Sequence, residues 1–115
     1  SGGQFTEPIP KSKEERDFDI YFKLYEEARK LEKDGNADKA LEIYTNILEE
    51  FEPMGTAYYE RPCIILEKQK RYDEAIQICL RAIEAINNKR FNATADEFEH
   101  RLNRLLRKKE KQKKL

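Results

Sequence analysis

The sequence predicts an all-α fold built from two helical hairpins and one closing helix. Apolar residues recur at helical spacing along most of the chain, and no segment alternates apolar and polar residues over a useful length. In addition, residues 31–44 (LEKDGNADKALEIY) match residues 66–79 (LEKQKRYDEAIQIC) at an offset of 35 residues. We therefore expect one structural unit that occurs twice.

The first hairpin is predicted to follow a short extended segment, residues 1–11. Ser12, with Glu15 three residues later, has the pattern of a capping box, so a helix is expected to start there. Gly35 is suited to the left-handed residue that ends a helix. A second amphipathic helix follows and ends before Pro53. The apolar positions that share one face of the first helix are Phe18, Tyr21, Phe22, Leu24, Tyr25, Ala28 and Leu31.

The second hairpin is predicted to contain helices at about 57–69 and about 72–87. Pro62 lies inside the first of these, so that helix either starts late or is kinked. Thr94, with Glu97 three residues later, has the pattern of another capping box and is expected to open the closing helix. The inward residues of that helix would be Phe98, Leu102, Leu105 and Leu106.

Small residues recur where two helices must cross closely. Ala40 and Ala75 occupy the same place in the two units, and a larger side chain there would hold the helices apart. Leu24, Ala28 and Leu31 of the first unit correspond to Tyr59, Cys63 and Leu66 of the second, whereas Gly35, Tyr44, Tyr72 and Ala82 each occur in one unit alone. This pattern resembles the tetratricopeptide repeat, a helix–turn–helix unit of about 34 residues.

The resemblance implies an α-α superhelix of two repeats and a capping helix. The helical domain would cover residues 12–110, after a lead-in at residues 1–11 whose first three residues look like a remnant of cloning. The expected parts are repeat one at about 21–53, repeat two at about 56–88 and the capping helix at about 95–113.

Reactive side chains give little support for catalysis. His100 is the single histidine, so no second imidazole can join it in a metal site. Cys63 and Cys79 lack the spacing of a metal or redox motif and are expected to fill the core; a redox-active pair is the alternative. We therefore expect a protein that is not an enzyme and that uses no metal or cofactor.

Binding of a protein or peptide is the function that the resemblance implies. In this family the first helix of each hairpin lines a concave groove. Carried over position by position, the groove residues are Phe22, Tyr25, Arg29, Lys33, Glu60, Ile64, Lys68 and Asn103, with Glu32, Ala57, Glu67 and Glu99 on the same side. Aromatic groups beside arginine suit an extended peptide or a helix with an acidic group. Alternatively, Phe22 and Tyr25 pack on the N-terminal segment or on the capping helix.

The groove does not match the residues by which some family members hold the C-terminal carboxylate of chaperones. Those members use lysine and asparagine, whereas Tyr25 and Arg29 stand at two of the corresponding places here. Chaperone binding is therefore not implied, and the identity of the protein partner stays open.

Charge is distributed unevenly along the chain. Residues 1–100 carry 15 Lys and Arg against 22 Asp and Glu, whereas residues 101–115 carry 8 against 1. The basic end can be a solvated helix end favoured by the helix dipole, a docking site for an acidic partner or subunit, or a weak site for nucleic acid or lipid. Nucleic acid is the less favoured partner because stacking aromatic residues are absent from this end.

Two further expectations concern assembly and location. Two repeats are fewer than the three or so that usually bury a continuous core, so the alternative function is structural self-association into a homodimer through an end of the short array. No apolar run approaches the roughly 18 residues that would span a bilayer. Two cysteines fit a reducing compartment, so we expect a cytoplasmic protein without membrane contact.

Overall fold

A computed structural model of the protein describes residues 9–114. This part of the chain folds into five helices and contains no strand, which confirms the all-α class. In chain order they are α1 (Lys13–Lys33), α2 (Ala37–Glu50), α3 (Ala57–Lys68), α4 (Tyr72–Asn87) and α5 (Asp96–Lys113).

The helices pack as two hairpins and a closing helix, as the sequence predicts. α1 packs on α2, α3 packs on α4, and α5 packs on α4, while the contact between α2 and α3 joins the two hairpins. One buried cluster runs through all five helices, from Tyr21 of α1 to Leu105 of α5. None of the described helices is long and apolar enough to cross a membrane.

Small side chains are buried between the packed helices at the positions that recur in the sequence. Ala28 of α1 and Ala40 of α2 are completely buried, as are Ala75 and Ala82 of α4. A methyl group fills these positions without separating the helix axes, and interiors are too densely packed to accept extra methylene groups without strain. The recurring alanines of the sequence are therefore explained by packing.

The turns inside the two hairpins have the same backbone structure. In the first turn the amide of Gly35 donates to the carbonyl of Glu32 and the amide of Asn36 donates to that of Leu31, at 3.1 and 2.8 Å. In the second turn Lys70 donates to Glu67 and Arg71 to Leu66, at 3.0 and 2.9 Å. Both are Schellman motifs, which need a left-handed residue. That residue is Gly35 with φ +85° in the first turn and Lys70 with φ +59° in the second.

Two details of the helix starts can be compared with the sequence. The capping box of Ser12 and Glu15 is present at the start of α1. The box expected at Thr94 was wrong: α5 starts at Asp96, its N-cap is Ala95, and no side chain caps it. Residues 1–8 of the expected lead-in lie outside the described residues.

Pro62 lies in the middle of α3 and is buried. α3 begins at Ala57, so the helix does not start late at the proline. The ring leaves the carbonyl of Tyr58 without its usual helical donor. Thr56 accepts the amides of Tyr59 and Glu60, at 3.1 and 2.9 Å, which anchors the first turn ahead of the proline.

The shared turn geometry gives a matched pair of substitutions. Gly35→Ala should destabilise the protein by about 1 kcal/mol, because a Cβ is disfavoured at this left-handed φ although no atom lies within 4 Å of its position. Lys70→Ala should change stability by less than about 0.5 kcal/mol, since one non-glycine residue replaces another there. Urea unfolding followed by circular dichroism measures both, and equal losses for the two variants would contradict the explanation.

Candidate functional site

The first helices of the hairpins, α1 and α3, lie side by side with α5. Tyr58 of α3 packs edge-on against Tyr21 and Tyr25 of α1, with both pairs of ring centroids 5.0 Å apart. Glu67 of α3 is hydrogen-bonded to Arg104 of α5. We call the outward side of these helices the first-helix surface; it consists of Phe18, Phe22, Tyr25, Arg29, Lys33, Glu60, Arg61, Ile64, Lys68, Asn103, Arg104, Arg107, Lys108 and Lys111.

Aromatic side chains occupy the α1 part of the first-helix surface. The rings of Phe18 and Phe22 are stacked with centroids 5.5 Å apart, and each residue is 41% exposed. Tyr25 is half-buried between Tyr58 of α3 and Tyr44 of α2, at 5.0 and 5.8 Å. Phe22 is thus an exposed apolar group, whereas much of Tyr25 is used in packing the hairpins together.

Glu32 near the end of α1 joins three elements through its carboxylate. It accepts hydrogen bonds from Arg29 at 3.2 Å, from Tyr44 Oη at 2.9 Å, and from both Nε and Nη2 of Arg61 in α3. We call these four residues the Glu32 cluster. Burial opposes ionisation of Glu32, but the hydrogen bonds from Arg61, Tyr44 and Arg29 outweigh it and hold the pKa of Glu32 below its ordinary value.

Glu67 near the end of α3 has the same role toward α5. Arg104 donates Nε and Nη2 at 2.8 and 2.9 Å, Lys108 donates Nζ at 2.7 Å, and Arg101 donates Nη1 at 3.4 Å. These residues form the Glu67 cluster. The hydrogen bond from Arg104, supported by Lys108, outweighs burial and lowers the pKa of Glu67 to about 2.

The two clusters change the interpretation of the repeated glutamate. The resemblance implied that Glu32 and Glu67 line a groove that is open to a ligand. Instead, their side chains are 14% and 12% exposed. The carboxylate of Glu32 is bound by an arginine of α3, and that of Glu67 by arginines of α5. These glutamates hold the first-helix surface together and are not available to a ligand.

The remaining groove predictions fall along the same surface. Lys33 and Lys68 are exposed at the last positions of α1 and α3, and Asn103 is exposed on α5. Glu60 and Ile64 are half-buried on α3. The sequence named Phe18 only as an apolar position of the first helix, and it predicted Arg29 but none of the other basic residues of the two clusters: Arg61, Arg101, Arg104 and Lys108. The signal available for these basic residues was the recurring glutamate, which needs basic partners wherever it is half-buried.

The larger clefts of the protein lie away from the predicted groove residues. One cleft of about 560 Å³ is lined by charged residues from the start of α1, the end of α2 and from α4, including Asp17, Glu49 and Arg81. Another, of about 570 Å³, is lined by residues between Ile86 and Ala95. None of the predicted groove residues lines either cleft.

The two cysteines face each other in the core of the second hairpin. Cys63 and Cys79 are completely buried, and their sulfur atoms are 3.7 Å apart. The hydrogen bond to Cys79, together with burial, raises the pKa of the Cys63 thiol. Within residues 9–114, no group of three or more His, Cys, Asp and Glu side chains is arranged to hold a metal ion.

No family model, curated protein or solved structure matches this chain. The likeness to the tetratricopeptide repeat therefore rests on the residue pattern.

The Glu67 cluster should make stability depend on pH. The pKa of about 2 in the folded protein lies below the value of about 4.3 for an exposed glutamate, so the stabilisation is complete above the latter and is lost as the pH falls toward 2. Glu67→Gln should lower the free energy of unfolding by about 1–3 kcal/mol at pH 7, and by much less near pH 2.

The matched control is Glu110→Gln, which removes an exposed carboxylate of the same helical array that is in none of the described ion pairs. Urea unfolding of the three proteins between pH 2 and pH 7 gives the comparison. A difference between wild type and Glu67→Gln that stays constant across this range would contradict the assigned role of the carboxylate.

Proposed function

We propose that the protein is a small tetratricopeptide-like module that binds a peptide or helix of another protein on its first-helix surface, without catalysis. The observation that supports this most directly is the stacked pair of exposed phenylalanines, Phe18 and Phe22. They lie on the same surface as the arginines of the Glu32 cluster and the Glu67 cluster. Aromatic residues and arginine are the groups that dominate the binding energy of protein interfaces.

The order of the arginines adds to this support. Each of Arg61 and Arg104 donates two hydrogen bonds to one carboxylate, which fixes the plane of its guanidinium group. A side chain that is already fixed loses little conformational entropy when a partner binds. The first-helix surface is therefore organised for binding before any partner arrives.

The state of the thiols agrees with a non-catalytic role in a reducing compartment such as the cytoplasm. Cys63 and Cys79 are both completely buried, which keeps their thiols away from reactants in solvent. The composition, with two cysteines in 115 residues, fits a reducing compartment such as the cytoplasm better than a disulfide scaffold.

Self-association through the closing end of the array is the second candidate function. In α3, Glu67 follows the buried Leu66 and binds α5. In α5, the residue after the buried Leu105 is Leu106, so the equivalent position has no carboxylate that could bind a further helix. Leu106 is 46% exposed, and Leu80 on α4 is 44% exposed. Light scattering distinguishes the two functions, because a tight dimer supports self-association and a monomer supports the proposed module.

The proposed module predicts that Phe22→Ser abolishes partner capture while leaving the fold intact, since Phe22 is exposed and its removal leaves no core cavity. Ile20→Ser is the matched control, because Ile20 is 52% exposed but lies two residues away, on another side of α1. The measurement is affinity capture from the native lysate with mass spectrometry, beside circular dichroism of each variant. Partners retained by Phe22→Ser and lost by Ile20→Ser would place the site elsewhere.

A further inference from the structure

Basic side chains occupy one face of α5 next to the end of α3. Arg104, Arg107, Lys108 and Lys111 recur at helical spacings of three and four residues, so they lie along a single face. The contacts of Arg104 and Lys108 with Glu67 place this face beside Lys68, the last residue of α3. We call these five residues the cationic stripe.

The cationic stripe is only partly neutralised within the protein. Among the ion pairs between residues 9 and 114, Glu67 is the one carboxylate that pairs with it, through Arg104 and Lys108. Lys68, Arg107 and Lys111 are exposed and belong to none of those pairs. The helix dipole favours cations only within the last turn, and Arg104 and Arg107 precede the last turn of α5. The stripe therefore has a positive charge that the fold leaves uncompensated.

Glu67 also fixes the geometry of this charge. It binds Nε and Nη2 of Arg104, which leaves the Nη1 hydrogens of that guanidinium for another acceptor. The side chains of Arg104 and Lys108 are 42% and 43% exposed, so an anion can reach both from solvent. An incoming carboxylate would meet charged donors that are already held in position.

The aromatic pair of α1 lies on the other side of α3 from the stripe. Neighbouring helices have axes about 8–10 Å apart, so two such steps amount to about 16–20 Å across the helices. The stripe also lies further along the helix axes, because Tyr21 packs on Tyr58 whereas Arg104 binds Glu67, nine residues later in α3. With about 1.5 Å per residue along the axis, the aromatic pair and the stripe are about 21–24 Å apart. An extended chain covers this distance with about six to eight residues. Ile64 on α3, half-buried, offers an apolar contact between the two sites.

We propose that the partner of the first-helix surface is an acidic polypeptide segment. Its carboxylates bind the cationic stripe, and an aromatic or aliphatic side chain about six to eight residues away binds against Phe18 and Phe22. This inference rests on the proposed function, and it adds the chemistry and the spacing of the segment that is bound.

The test is selection of random displayed peptides on the full chain at about 0.15 M salt. Enriched peptides should combine acidic residues with an aromatic or aliphatic residue at this spacing. Their affinity, measured by fluorescence anisotropy, should fall steeply with added salt and drop about tenfold or more in the double variant Arg107→Glu, Lys111→Glu. The control Lys23→Glu, Lys39→Glu makes the same charge change at exposed lysines outside the stripe and should leave the affinity unchanged.

Each other outcome has a defined meaning. Enriched peptides without an acidic preference, or peptides bound equally by the Arg107 and Lys111 double variant, overturn the acidic partner and leave the proposed function standing. No enrichment at all overturns both. A mobility shift of single-stranded RNA at the same salt that is lost in this variant assigns the stripe to nucleic acid and likewise overturns the proposal.

Discussion

The arrangement of the first-helix surface depends on one kind of contact, a carboxylate near the end of one helix that binds arginines of the next. Glu32 joins α1 to Arg61 of α3, and Glu67 joins α3 to Arg104 of α5. Breaking a half-buried pair of this kind costs more than the pair contributes, because the remaining charge is left without a partner. The contacts therefore fix which residues of the three helices face solvent together.

The same contacts explain why a chain with no net charge has a surface with a strong charge pattern. The excess of acidic residues over the first 100 positions and the excess of basic residues after them meet inside the fold, through Glu67 with Arg104 and through Asp73 with Lys109. Each carboxylate cluster includes more than one cation, so the first-helix surface remains basic. A surface of this sign attracts acidic partners and repels basic ones.

Much of the fold could be predicted from the sequence because its determinants are local or recur at a fixed offset. Ala40 and Ala75 occupy repeated positions and are completely buried, and Gly35 marks a left-handed turn. Lys70 adopts the same left-handed conformation without a glycine, because the hydrogen bonds around it compensate for the backbone strain. The site was harder to predict. The residues around Glu32 are those of an ordinary exposed helix. They do not reveal that Arg61, 29 residues away in the sequence, donates to this carboxylate.

A double-mutant cycle on Glu67 and Arg104 tests most directly whether the carboxylate contacts hold the helices of the first-helix surface together. The free energies of unfolding of wild type, Glu67→Gln, Arg104→Gln and the double variant give the coupling energy between α3 and α5. Charged residues in direct contact should be coupled by about 1–2 kcal/mol at pH 7. Changes that add within about 0.3 kcal/mol would show that the two side chains act independently, and would contradict the structural role given to Glu67.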